Sequence, residues 1–267
     1  MHVDFKDDTR QAYVIAKNEI KKFMAGKKII LFGILVLALE LLNLIVPFVW
    51  GDGYGDSITA AESLLGNVNL FIIIAAILFT ATSIVSEFEE RTALVLFTKP
   101  IRKWSIYLGK LLASLIIMSG FLLLIYLYAA VVCLVTCGDI PGSLLTSFGL
   151  SICGAIGSSG LAIMLSAVFK KGSTASIMTL VFYLLILGII GALINQYAHV
   201  DTWWMLDNAM GNIVNSMGVP HVISYDPLDY YYTFLPGSEL ARSAGVMIAW
   251  GIITAIIGFF LFNKRDF

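Results

Sequence analysis

Charge is scarce in this chain: Asp, Glu, Lys and Arg make up 13% of 267 residues, while 59% are hydrophobic. Too little polar surface remains to cover a soluble domain, and a mean hydropathy of +0.89 excludes an ordinary soluble composition. Neither sign dominates, with 17 Lys and Arg against 18 Asp and Glu, so no basic excess argues for nucleic acid as a partner. Cysteine is sparse as well. Cys133, Cys137 and Cys153 fall within apolar runs, too few and too oddly placed for a disulfide framework, and read as small buried side chains. His2, His199 and His221 lie outside those runs with no ligand spacing to a Cys or carboxylate, so no metal site is expected. HExxH and GxSxG patterns are missing too, which leaves a membrane protease or hydrolase without a visible catalytic residue.

What the sequence has in abundance is apolar runs of bilayer length. A helix crosses the hydrocarbon core with about 20 mainly apolar residues, and six such runs occur, near 29–50, 68–85, 111–136, 148–169, 174–196 and 242–262. The pieces between them are short except at 197–241, and no repeat, low-complexity tract or linker divides the chain. The reading is one all-α integral membrane domain over 1–267. The first run follows 28 residues and no A-x-A site follows it, so it reads as a retained span rather than a cleaved signal.

Basic residues set the orientation, because cytoplasmic segments beside membrane spans carry an excess of them. The N-terminal segment has Lys6, Arg10, Lys17, Lys21, Lys22, Lys27 and Lys28; the connection between spans two and three has Arg91, Lys99, Arg102, Lys103 and Lys110. Lys170 and Lys171 follow span four, and Lys264 and Arg265 end the chain. Arg242 alone falls in an outward connection, among Asp139, Asp201, Asp207, Asp226, Asp229 and Glu239. Six spans with both termini cytosolic satisfy every segment.

Before the first span, Asp8 and Thr9 can cap a helix in which Tyr13, Ala16, Ile20, Phe23 and Met24 recur at helical spacing, opposite Lys17, Lys21 and Lys22. Such a helix suits the inner membrane surface, as a plain anchor or as a lever touching a cytosolic partner. The connection at 86–104 departs from a passive loop. Glu87, Glu89 and Glu90 would stabilise a helix N-terminus, Ala93, Leu94, Leu96 and Phe97 would give it an apolar face, and Pro100 would end it.

The stretch Val85-Ser86-Glu87, then Glu90-Arg91-Thr92-Ala93-Leu94, Lys99-Pro100 and Trp104 to Leu108-Gly109-Lys110 resembles the region between spans two and three of ABC-2 type transporter permeases. Six spans, the amphipathic N-terminal helix, the longer outward connection before the last span and the basic end Asn263-Lys264-Arg265-Asp266 agree with it, and within the family the chain looks most like the permeases of two-gene systems, including those of the nitrous-oxide-reductase maturation type. The resemblance implies a half-transporter of a prokaryotic plasma membrane, working as a homodimer or pseudo-dimer with a second permease and two copies of an ABC ATP-binding subunit. It implies export as the function, with Glu87, Phe88, Glu89, Glu90, Arg91, Thr92, Leu94, Pro100 and Arg102 forming a coupling helix docked into that subunit. Gly26-Lys27-Lys28 and Gly109-Lys110-Leu111 lack the upstream Gly and the Ser/Thr of a phosphate loop, so ATP and magnesium are expected in the partner, with no cofactor and no catalytic residue here. Two other readings remain open: ABC-coupled mechanical transmission to an extracytoplasmic protein, and an ATP-independent membrane carrier.

Inside the bilayer, Glu40 stands mid-way along the first span with Asn43 at i+3 and Pro47 at i+7, so one side of that helix is polar. The two side chains either line a substrate route or its gate, or belong to a carboxyl hydrogen-bonded to a neighbouring helix. Small residues mark span four (Gly149, Ser151, Gly154, Gly157, Ser158, Gly160) and span six, where Gly245 and Ala249 make a small-xxx-small pair suited to close packing. In the outer connection, Trp203, Leu206, Met210, Ile213, Val214 and Met217 repeat at helical spacing, and Tyr225, Tyr230, Tyr231, Tyr232 and Phe234 follow. Trp203 and Tyr231 are candidates for a cap on the pathway, or for an aromatic belt at the lipid boundary.

Overall fold

The computed structural model of the protein describes residues 5–51, 53–89, 102–222 and 230–264. Among them six helical stretches are long and apolar enough to cross a membrane: Lys27–Val49, Ser57–Glu87, Lys103–Cys137, Ser143–Val168, Gly172–Ala198 and Gly237–Asn263. Each contains one of the runs read from the sequence, or matches it to within a residue or two.

In chain order the elements are α1 (Phe5–Ala25) and α2 (Lys27–Trp50), then α3 (Ser57–Leu65) and α4 (Val68–Ala75), which continues into a wide π turn at Ala76–Thr80. A short α5 (Val85–Glu89) precedes α6 (Lys103–Cys137) and α7 (Ser143–Val168). The stretch Gly172–Ala198 is called α8; it carries π turns at Phe182–Leu187 and Ile194–Ala198. α9 (Leu206–Asn215), β1 (Val219–Val222), β2 (Tyr230–Thr233) and α10 (Gly237–Asn263) complete the set. The strands pair antiparallel with Val219 opposite Thr233 and His221 opposite Tyr231.

Two elements differ from expectation at their ends. α1 begins by Phe5, so Asp8 and Thr9 lie inside the helix rather than capping it. The outward connection 51–67 is largely helical: the Asp56 carboxylate accepts the Thr59 backbone N–H at 2.8 Å as an N-cap, and Ala60, Ala61, Leu64 and Leu65 of α3 are fully buried. Those four recur at the spacing of a packed helix face, and the acidic residues around them disguised it.

α7 is the centre of the bundle, and its tightest neighbour is α10. A methyl group at Gly251 would come within 2.7 Å of the Ile156 carbonyl oxygen, and one at Gly258 within 2.8 Å of the Met164 Cα. Only glycine permits backbones that close. The seam on α10 is therefore Met247, Gly251, Thr254 and Gly258, which are buried, whereas Gly245 faces open space and the expected 245/249 pair lies off it. α2 and α8 stand at the margin, with Ile30, Leu31, Leu37, Leu184, Leu185 and Ile189 exposed, a surface suited to hydrocarbon.

α9 enters the bundle rather than resting on it. Leu206, Ala209, Met210, Ile213 and Met217 are buried, and a methyl group at Gly157 would meet the Leu206 Cδ1 at 2.8 Å. Gly157 lies roughly 20 Å along α7 from Ser143 at 1.5 Å per residue, so the start of α9 reaches deep between the spans. Its amphipathic pattern is the one read from the sequence, with the apolar stripe turned onto α4, α7 and α10.

Candidate functional site

Lys110 gathers three segments at one end of the bundle. Its residue is 3% exposed, and its ammonium donates to Glu19 of α1 and, at 2.9 Å, to Glu87 of α5. A lysine so deeply placed is tolerated only when paired, and two carboxylates supply that pairing. The neighbouring Gly109 allows it: a methyl group there would lie 2.8 Å from the Ala12 carbonyl oxygen, so α1 and α6 touch backbone to side. The buried face of α1 is Ala12, Ala16, Glu19 and Phe23 at helical spacing, while Tyr13 and Met24 of the expected stripe are exposed.

The same end holds further polar and charged contacts. Lys28 donates to the Thr82 hydroxyl at 2.8 Å, Lys103 donates to the Asn263 carbonyl at 3.2 Å, and the Gly172 N–H donates to the Glu89 carboxylate at 3.0 Å. Lys22 approaches Glu87 at 4.0 Å. Before α5 the helix of span two opens at 81–84, and the Ser166 hydroxyl oxygen accepts the backbone N–H of both Ile84 (3.2 Å) and Val85 (3.3 Å). α7 thus fixes the point at which the connection 86–104 leaves the bundle.

Of the coupling residues expected from the sequence, Glu87 takes part in this cluster, Glu89 holds the start of α8, and Arg102 stands exposed at the N-cap of α6. Glu90, Arg91, Thr92, Leu94 and Pro100 lie outside the described residues, as does the side chain of Phe88. Glu19, Lys110 and Ser166 were missed. A carboxylate inside the apolar face of α1 was the available signal for the first, while Lys110 was counted only as a cytosolic charge.

The opposite end has two polar groupings. In the first, Glu40 is 3% exposed and neither carboxylate oxygen has a hydrogen-bond partner among the described residues. One turn on, the Asn43 carbonyl accepts the Tyr54 hydroxyl at 2.7 Å, and the Asn43 side chain meets Asn67 at 3.4 Å and the Leu64 carbonyl at 3.5 Å. Burial pushes the Tyr54 hydroxyl up to about 12, so it stays a donor.

The second grouping is a polar cleft of about 300 Å³ bordered by Asn195, Asp201, Thr202, Trp203, Asn208, Asn212, Glu239, Arg242 and Ser243. A further hollow of about 150 Å³ shares Asn195, Thr202 and Asn208 and runs on to Asp207, Met205, Gly191 and Gly188. Arg242 lies over the Trp203 ring, 5.3 Å from its centre, and 3.9 Å from Glu239. Asn212 donates to the Ser243 hydroxyl at 2.8 Å, and Asn208 to the Thr202 carbonyl at 3.1 Å. The structure therefore separates the candidates: Asn43 belongs with α3 and its flanking turns, the Glu40 carbonyl accepts from Tyr128 of α6 at 3.5 Å, Trp203 belongs with α10, and the Tyr231 side chain lies outside the described residues.

The comparisons agree with the architecture. The profile of the family described as ABC-2 family transporter protein matches residues 13–267. The chain belongs to that family. A search of curated proteins returns no significant match. The six apolar helices and the family together make this ABC-2 permease a multi-pass membrane transport protein. The family match extends across both the Lys110 cluster and the outer cleft, so both sit within the transporter domain.

Proposed function

We propose that this permease is the membrane-spanning half of an ABC exporter, paired with a second permease and driven by ATP hydrolysis in separate ATP-binding subunits. The observation that carries this reading is the Lys110 cluster, which joins α1, α6 and the start of the 86–104 connection through buried charges. An ATP-driven movement of a soluble subunit can shift membrane helices only through an element that both parties hold. Residues 87–98 are that element in this proposal, and Lys110 and Ser166 are the anchors by which the bundle holds it. The end bearing Lys28, Lys103, Lys110 and Lys171 faces the cytosol of a prokaryotic cell, in accord with the distribution of basic residues. Catalysis belongs to the partner, which binds ATP and magnesium. Glu40 and Asn43 are proposed to border the route or its gate, because a buried carboxyl with no partner among the described residues is costly to keep and intramembrane ionisable groups commonly mark pathways.

The test is co-expression of the permease with its ATP-binding subunit, followed by purification and ATPase assay. Glu90→Ala and Leu94→Ala are expected to weaken assembly or to uncouple the ATPase from substrate. Unchanged assembly and unchanged stimulation in both variants would remove the coupling assignment, and full transport by the permease alone in liposomes would remove the whole reading.

A further inference from the structure

The cleft between α8, α9 and α10 has a composition that packing does not explain. Asp201, Asp207 and Glu239 line it and its adjoining hollow against the single guanidinium of Arg242, with the amides of Asn195 and Asn208 between them. Arg242 is already engaged by Glu239 and by the Trp203 ring, so the unbalanced charge of the lining is negative. Polar groups at membrane depth need water, a ligand or one another. α9 carries this depth, since its first turn packs near the middle of α7.

The geometry points to a lateral site for the headgroup of an amine-bearing glycerophospholipid, drawn from the leaflet at the end of the bundle away from Lys110. The carboxylates would take the ammonium, and Arg242 with the Asn195 amide would take the phosphate oxygens. A free anion fits poorly, because it would meet more carboxylate than guanidinium. The volume lies at the lower end for ligand pockets, which suits a headgroup rather than a whole lipid. The inner hollow ends at Leu187 and Gly188, and one turn below them the exposed Leu184 continues along α8 toward the acyl-chain region. The proposal requires membrane embedding but no coupling to an ATPase, so its outcome is independent of the function proposed above.

The experiment uses the whole chain in nanodiscs of phosphatidylethanolamine and phosphatidylglycerol mixed in equal amounts, then extraction into mild detergent and native mass spectrometry of retained lipid. Retention of phosphatidylethanolamine over phosphatidylglycerol by about tenfold is expected, the value of one charge-assisted hydrogen bond. The double variant Asp207→Asn/Glu239→Gln should lose that preference. Asn195→Trp, which fills the cleft without altering charge, should lower retention of the amine lipid while the melting temperature in detergent is unchanged. Equal retention of the two lipids, preference for phosphatidylglycerol, or a preference that survives both variants would overturn the site.

Discussion

The Lys110 ammonium lies 2.9 Å from the Glu87 carboxylate while its other carboxylate partner, Glu19, comes from a helix at the far end of the sequence interval. One buried cation therefore holds together the amphipathic N-terminal helix, the third span and the root of the 86–104 connection.

Lys110→Met should destabilise the permease by about 3–5 kcal/mol, because it leaves two carboxylates near each other without their cation. Adding Glu19→Gln and Glu87→Gln should recover much of that loss, since an uncharged trio has little to compensate. Thermal unfolding in detergent measures both. If the single variant melts like the parent, the cluster has no structural weight.

The backbone contact between α7 and α10 makes Gly251→Ala costly. Overpacking at such a site is worth about 1–3 kcal/mol, and the melting temperature should fall accordingly. Gly245→Ala and Gly149→Ala, with open space around both inside helices, are expected to leave stability unchanged or raise it by up to about 1 kcal/mol. The contrast separates the true seam from the pattern that merely resembles one.

Ser166→Ala removes the acceptor shared by the Ile84 and Val85 amides. A loss of about 1–3 kcal/mol follows from leaving buried donors unsatisfied. Hydrogen exchange at those two amides should accelerate more than across α4, and an equal change in α4 would point to general destabilisation instead.

Glu40→Gln keeps the shape of a side chain whose carboxylate oxygens have no described partner. Stability should be unchanged or higher, by up to about 1 kcal/mol, while substrate-stimulated ATPase activity of the complex should fall. Full activity with its pH dependence intact would reduce Glu40 to a packing residue.

Hydrocarbon thickness makes the spans legible, since runs such as 29–50 and 242–262 have few other uses. The amphipathic stripe of α9 was legible for the same kind of reason, as Leu206, Met210 and Ile213 repeat at helical spacing. Pairing was not. Small residues recur at several registers on α10, and nothing local distinguishes the face of Gly251 from that of Gly245, because the difference lies in the partner helix. The Lys110 cluster was hidden likewise: Glu19 and Glu87 are far apart in sequence, and nothing local to either names Lys110 as their shared partner. The outer cleft escaped because Asn195, Asn208 and Glu239 come from three separate elements that only the insertion of α9 brings together.

The wide turn at Phe182–Leu187 makes the angular position of Asn195 depend on one surplus residue upstream. Were that turn to tighten into regular helix, everything beyond it would swivel by about 100°, the angular step of one residue. The amide would then swing off the cleft wall, and Gly191 would turn away from the Met205 sulfur that it packs against. The register of what lines the cleft is thus set inside the fifth span, well away from the cleft itself.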